Sequence, residues 1–196
     1  MVNKLTKTSI LGIYLNNYAK RYYLREAAVL LKKPHQTIKP YLERLVKEKV
    51  LVKTERKNIV EYSLNLKENI TYDYLTIAEK EKLIQRLDKD TLLKILSEKL
   101  SSFFVKNTFL IFGSAVDELK KGSDIDLLVV GTQKVESIVK EFEKIYNKEI
   151  HLIKTTNLNK LSNTLIKEIY QKHLILNNTE QVIRFFGELY EKNKLV

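Results

Sequence analysis

The sequence predicts an α+β protein with three short helices and a basic hairpin over residues 1–66, a helical connector over 67–106, and a small sheet flanked by helices over 107–196. Three observations carry that expectation. Apolar residues recur at helical spacing along most of the chain, yet run together or alternate in a few short stretches bounded by turn residues. Residues 67–106 hold neither glycine nor proline, as a continuous helical segment would. Charge is also unevenly divided. Residues 1–66 carry 14 Lys and Arg against 5 Asp and Glu, whereas the rest carries 21 against 19, so the excess behind the net charge of +11 lies in the N-terminal third. That pattern suits a polyanion-binding part joined to a nearly neutral one, although a solvated lysine-rich surface would read the same way.

Composition removes several classes of function. There is no cysteine, which excludes disulfides and cysteine-ligated zinc, and the three histidines are scattered rather than spaced as zinc ligands. The first residues lack the apolar core of a signal peptide, and no uninterrupted apolar run is long enough to span a bilayer. A soluble, cytoplasmic protein with no membrane partner is expected.

Taken in order, Ser9 to Tyr18 places Ile10, Leu11, Ile13, Tyr14, Leu15 and Tyr18 near a 3.6-residue period and predicts a first helix. Leu24 to Leu31 predicts a second, ended by the KKPH turn because Pro34 disfavours helical geometry at Lys33. A third is predicted up to about Lys49, with Thr37 as its N-cap and Pro40 in the tolerant first turn, and with Ile38, Tyr41, Leu42, Leu45 and Val46 on one face. Two strand-like runs follow, Leu51 to Glu55 and Ile59 to Leu64, joined by a basic RKN tip.

That order of three helices and a hairpin resembles the winged helix-turn-helix DNA-binding domains of archaeal and bacterial regulators. The resemblance implies a third helix in the major groove of double-stranded DNA, with His35, Gln36, Thr37, Lys39 and Arg44 facing the duplex. It places Arg56 and Lys57 on the backbone from the wing. The alternative is a winged helix that binds protein. Winged helices commonly pair, so a homodimer is expected.

The connector divides at Asp88 to Asp90, with Asp90 as the cap of its second helix. Leu83, Ile84 and Leu87, then Leu92, Leu93, Ile95, Leu96, Leu100 and Phe104, supply its apolar faces. Beyond it, NTFLIFGS is an apolar strand-like run closing on Gly113-Ser114, and SDIDLLVVG is a second. A Gly-Ser after a strand, opening a helix, lets phosphate oxygens approach the backbone and offers them N–H donors and a hydroxyl. In the second run the two-residue period of a strand sends Asp124 and Asp126 to one face, and two adjacent carboxylates invite a divalent cation such as Mg²⁺. One element grips a triphosphate while its neighbour holds the Mg²⁺ that bridges to it, which is what nucleotidyl transfer requires.

Gly113, Ser114, Asp124 and Asp126 together resemble the signature of the minimal nucleotidyltransferases of the polymerase beta superfamily. The resemblance implies ATP or another NTP as substrate, Ser123 as a further nucleotide contact, and a third carboxylate from a later strand as metal ligand and base. In NKEIHLIKT that carboxylate is expected to be Glu149, on the face shared with His151, which stands where the family expects aspartate. The arginine and glycine that many relatives carry after the Gly-Ser are absent from AVDELKKG; Lys120 and Lys121 would supply charge there or lie in a solvated turn. Asp117 and Glu118 read as residues of a helix's first turn. A helix from about Val135 to Tyr146 and helical segments over Leu158 to Leu176 and Glu180 to Tyr190 complete the chain, with Tyr170 and His173 as packing residues.

Three functions remain open at this stage. The first is a DNA-binding protein whose Mg²⁺-dependent domain transfers AMP to a hydroxyl of a protein, as antitoxins of the resembled family do. The second is a transcriptional regulator whose degenerate nucleotidyltransferase domain senses nucleotide or dimerises. The third is an adaptor with no nucleotide site.

Overall fold

The computed structural model describes residues 5–56, 59–120 and 122–192, and it is a mixed α+β structure with two small sheets. Lys57, at the expected wing tip, and Lys121 lie outside the described residues. The chain groups into two compact units, residues 1–81 with 183–196, and Lys82–Val182.

In the first unit, α1 (Lys7–Leu11) starts at a reciprocal cap: Thr6 Oγ1 accepts from Ser9 N at 3.0 Å and Ser9 Oγ accepts from Thr6 N at 2.9 Å. The helix is shorter than its periodicity suggests. Gly12 weakens a helix interior, and from it the backbone tightens into a 3₁₀ turn, Gly12–Tyr14, that still buries Tyr14. The Tyr14 hydroxyl donates to Tyr62 O at 2.9 Å, and burial pushes its ionisation well above the ordinary tyrosine value.

A two-residue strand, β1 (Tyr22–Tyr23), leads into α2 (Leu24–Leu31) and then α3 (His35–Lys47). Lys32 and Lys49, both in the left-handed region, close these two helices. In each case two backbone N–H groups fold back onto free carbonyls, as in Lys49 N to Val46 O and Val50 N to Leu45 O. The expected N-cap at Thr37 is corrected: α3 begins at His35 after Pro34, so Pro40 sits inside the helix and the Gln36 carbonyl loses its partner. Fully buried Ile38, Leu42 and Leu45 hold the helix across that gap. The hairpin β2 (Leu51–Arg56) and β3 (Ile59–Leu64) then pairs with β1 in the order β1-β3-β2; β1 is too short to show in the sequence.

A 21-residue helix, α4 (Asn69–Lys89), begins in the first unit and ends in the second, where α5 (Thr91–Leu100) starts at Asp90. Asp90 is the cap that the sequence indicated, its Oδ1 accepting from Leu92 N at 3.1 Å and Leu93 N at 3.2 Å. Next come β4 (Asn107–Phe112), a 3₁₀ turn Gly113–Val116, β5 (Ile125–Gly131), α6 (Glu136–Tyr146) and β6 (Ile150–Thr155).

The expected helical stretch from Leu158 to Leu176 is corrected. A short 3₁₀ turn and α7 (Asn163–Gln171) give way at Lys172, which is extended, to a strand β7 (His173–Ile175) before α8 (Thr179–Glu191). The reason is tertiary: His173 to Ile175 pair with β4 and bury completely. Asn177 prolongs that pairing with its side chain, its Oδ1 accepting from Phe109 N at 2.8 Å and its Nδ2 donating to Asn107 O at 2.7 Å.

The second sheet runs β6-β5-β4-β7 and is mixed, with β5 and β6 parallel and the other neighbours antiparallel. Register sorts its faces. Phe109, Ile111, Ile125, Leu127 and Val129 share the face that forms one core with Leu93, Leu96 and Leu100 of α5 and Val135, Val139 and Phe142 of α6. The opposite face carries, as one row across four strands, His151, Asp126, Phe112 and His173.

Candidate active site

The end of β4 and the beginning of β5 are antiparallel neighbours, so Phe112 opposite Asp126 brings the Gly-Ser turn beside Asp126. Gly113 has φ +69, and a Cβ placed on it would overlap Asp126 Oδ2. No other residue type both adopts that backbone conformation cheaply and leaves the carboxylate its place. Asp126 is 21% exposed, and its other oxygen, Oδ1, lies 3.1 Å from His151 Nδ1 on β6. Asp124 is exposed on the approach to β5, and Ser114 is exposed at the turn.

The turn itself departs from expectation. Gly113–Val116 is a single 3₁₀ turn rather than the start of an α-helix, so Asp117 and Glu118 fall beyond its end and gain no macrodipole. Asp117 instead pairs with Lys172 at 2.8 Å. The carbonyls of Ala115 and Val116 accept from Arg86 of α4, at 3.0 and 2.9 Å.

Ser123 is engaged within its own loop, donating from Oγ to Lys120 O at 2.9 Å. Lys148 Nζ, on a residue only 9% exposed, reaches the same Lys120 carbonyl at 3.0 Å and Ser123 Oγ at 3.3 Å. This lysine fixes the loop that delivers Asp124.

Glu149 directly precedes Ile150, the partner of Ile125, and its carbonyl accepts from Ile125 N at 3.0 Å. The two residues before the paired isoleucines, Asp124 and Glu149, therefore stand at one level on neighbouring strands. Glu149 is exposed and borders a cleft of about 640 Å³ with Ser123, Lys144 and Lys148. The slot opposite Asp126 belongs to His151. Among the described residues, no three His, Asp or Glu side chains converge closely enough to hold a metal ion.

The donor set nevertheless fits Mg²⁺ with a nucleotide. Mg²⁺ takes hard oxygens and is commonly held by one or two carboxylates, completing its octahedron with waters and phosphate oxygens. Asp124 and Asp126 supply two such carboxylates, and Gly113 leaves room for Asp126 to stand against the turn.

Residues 94–181 match the family described as polymerase beta, nucleotidyltransferase. The matched span takes in the Gly-Ser turn, both aspartates, Glu149 and His151. One solved structure, described as a toxin-antitoxin with AMP-PNP, is similar to 53% of this chain over 89% of its own, at 18% identity and a TM-score of 0.39. No curated protein matches the chain. Among the described residues no helix is long and apolar enough to cross a membrane.

Elsewhere, His35, Gln36, Thr37, Lys39 and Arg44 are all exposed along α3, whose Ile38, Leu42 and Leu45 are buried. Arg56 ends β2, paired with Ile59. Tyr170 and His173 are buried packing residues, the histidine donating from Nδ1 to Ile169 O at 2.9 Å. Sequence reasoning missed Arg86 and Lys148. The only sequence signal for Arg86 was its i,i+4 spacing from Asp90; Lys148 gave none.

Proposed function

We propose that this protein transfers a nucleotide, AMP from ATP, to a hydroxyl of a protein acceptor, and that its N-terminal part is a winged helix that binds double-stranded DNA. One observation carries the catalytic half: the Gly113 turn and the Asp126 carboxylate are packed so closely that only glycine fits between them. Asp124 and Asp126 would hold Mg²⁺, which when bound neutralises phosphate charge and aligns the reacting oxygens. Gly113 and Ser114 receive the phosphates through backbone N–H groups and the serine hydroxyl. The acceptor oxygen forms its bond to the α-phosphorus as the bond to the β-phosphate bridging oxygen breaks, and pyrophosphate leaves. Glu149, level with Asp124 at the strand entrance, takes the hydroxyl proton.

The surroundings favour a large acceptor. Asp124 and Glu149 are exposed, and the His151 side chain is 63% exposed on an edge strand, so the reacting groups stand open to a large acceptor beside the cleft that Glu149 borders. This accords with an antitoxin-like role in which a protein is modified. For DNA, the support is the basic charge of residues 1–66 and the polar exposed face of α3, with each copy of a homodimer reading one half-site.

A second reading has its own observation. His151, not a carboxylate, faces Asp126, and a domain with only two acidic ligands could bind ATP·Mg²⁺ as a sensor without turning it over. Calorimetric titration of ATP with Mg²⁺ into the wild type and the folded Asp124→Asn/Asp126→Asn variant tests whether the site exists. Transfer of α-labelled ATP to protein then separates the readings. Binding that needs both aspartates, with labelled acceptor, supports the enzyme; binding without label supports the sensor; no binding by the wild type refutes both.

A further inference from the structure

The turn that meets Asp126 has no α-helix behind it and no arginine in its own sequence between Ser114 and Asp124. What holds it comes from α4. Arg86 Nε donates to Val116 O at 2.9 Å and one terminal nitrogen donates to Ala115 O at 3.0 Å. Ala115 and Val116 are 1% and 6% exposed, so their carbonyls are poorly placed to find water instead. The Arg86 side chain is itself only 10% exposed, and Asp90 Oδ2 balances its charge at 2.9 Å. Asp90 Oδ1 meanwhile caps α5. One guanidinium therefore ties the end of α4, the start of α5 and the far side of the turn together.

We propose that Arg86 is the positioning residue of the Gly113–Val116 turn: by anchoring the Ala115 and Val116 carbonyls it holds Gly113 against Asp126 and sets the turn for phosphate. The planar fork suits two carbonyls at once, which a lysine ammonium on a flexible stem reproduces only in part. Arg86 touches neither nucleotide nor metal and acts through the backbone it grips. The functional consequence rests on the nucleotide-binding reading above, whereas the anchoring does not.

The test joins two measurements on the full-length chain with Arg86→Gln, Arg86→Lys and Asp90→Asn. The first is amide hydrogen exchange without nucleotide, read at Asp117 and Glu118, whose N–H groups both donate to Ser114 O. Arg86→Gln should speed exchange there about tenfold while β4 and β5 amides keep their rates; Arg86→Lys should fall between, and Asp90→Asn, which keeps a capping oxygen, should change least. The second is ATP·Mg²⁺ titration with transfer kinetics. Arg86→Gln should weaken binding and raise KM by about tenfold with kcat nearly unchanged, because the turn binds ground and transition states alike. Unchanged exchange at Asp117 and Glu118 overturns the anchoring. Faster exchange with unaltered nucleotide affinity overturns the positioning role. If the wild type binds no ATP, the nucleotide reading fails and exchange alone decides whether Arg86 holds the turn.

Discussion

The basic face of α3 and the acidic end of the second sheet are built by opposite means. On α3 the proposed contact residues are consecutive or nearly so, from His35 to Arg44, and one helix displays them all once Ile38, Leu42 and Leu45 are buried. At the sheet, the groups arrive from separate segments: Gly113 after β4, Asp124 and Asp126 at β5, Glu149 and His151 at β6, with Arg86 and Lys148 behind them. A surface written on one helix should lose function in small steps as residues are removed. A site assembled by register should fail sharply when a junction between segments is disturbed.

The sharpest junction is Gly113. Gly113→Ala combines strain at φ +69 with overlap on Asp126, so it should destabilise the protein by about 2–4 kcal/mol and abolish ATP·Mg²⁺ binding. Chemical denaturation and titration of the folded fraction read both effects. On the helix, Lys39→Ala and Arg44→Ala should each lower the slope of log affinity for DNA against log salt by about one, and their effects should add. Nucleotide binding should stay unchanged in both. A variant of α3 that removed all DNA affinity at one stroke would break the comparison.

Smaller again is Lys148→Met, which keeps the packed stem but removes the tie to Lys120 and Ser123; it should cost about 1–2 kcal/mol and raise KM for ATP·Mg²⁺. The smallest effect lies in the first unit, at the C-terminal end of α3. Hydrogen bonding to Lys7 holds the Glu48 carboxyl below its ordinary pKa, and the same bond raises Lys7. Glu48 therefore contributes stability above its unfolded pKa that is lost as pH falls through the folded value. Lys7 contributes below its unfolded pKa and loses its share as pH rises through its own. For a partly exposed pair the sum is about 0.5 kcal/mol, and Glu48→Gln should flatten the acid limb of the stability profile by that amount.

What the sequence disclosed follows the same division. Local signals were readable: α2 and its stop at Lys32, the hairpin and the Asp90 cap. Signals that depend on a distant partner were not. The run from His173 looks helical beside α7 and becomes a strand only because β4 offers an edge. Thr37 is a better capping residue than Pro34, yet α3 begins earlier, with the Thr37 and Ile38 N–H groups both donating to Pro34 O. Arg86 and Lys148 looked like ordinary surface cations. Their partners are backbone carbonyls in other segments, and a sequence does not display carbonyls.

Asn177 has a consequence for life at high concentration. β7 covers only Leu110 to Phe112 of β4, which would leave the remainder of that strand as an open template for another chain. The Asn177 amide closes the template at Asn107 and Phe109 with a single side chain that offers no strand of its own to extend. Beyond the three residues of β7, β4 is thereby left with no open N–H at Phe109 or carbonyl at Asn107 for a stray strand, and at the opposite edge of the sheet Lys154 of β6 is paired with Glu136.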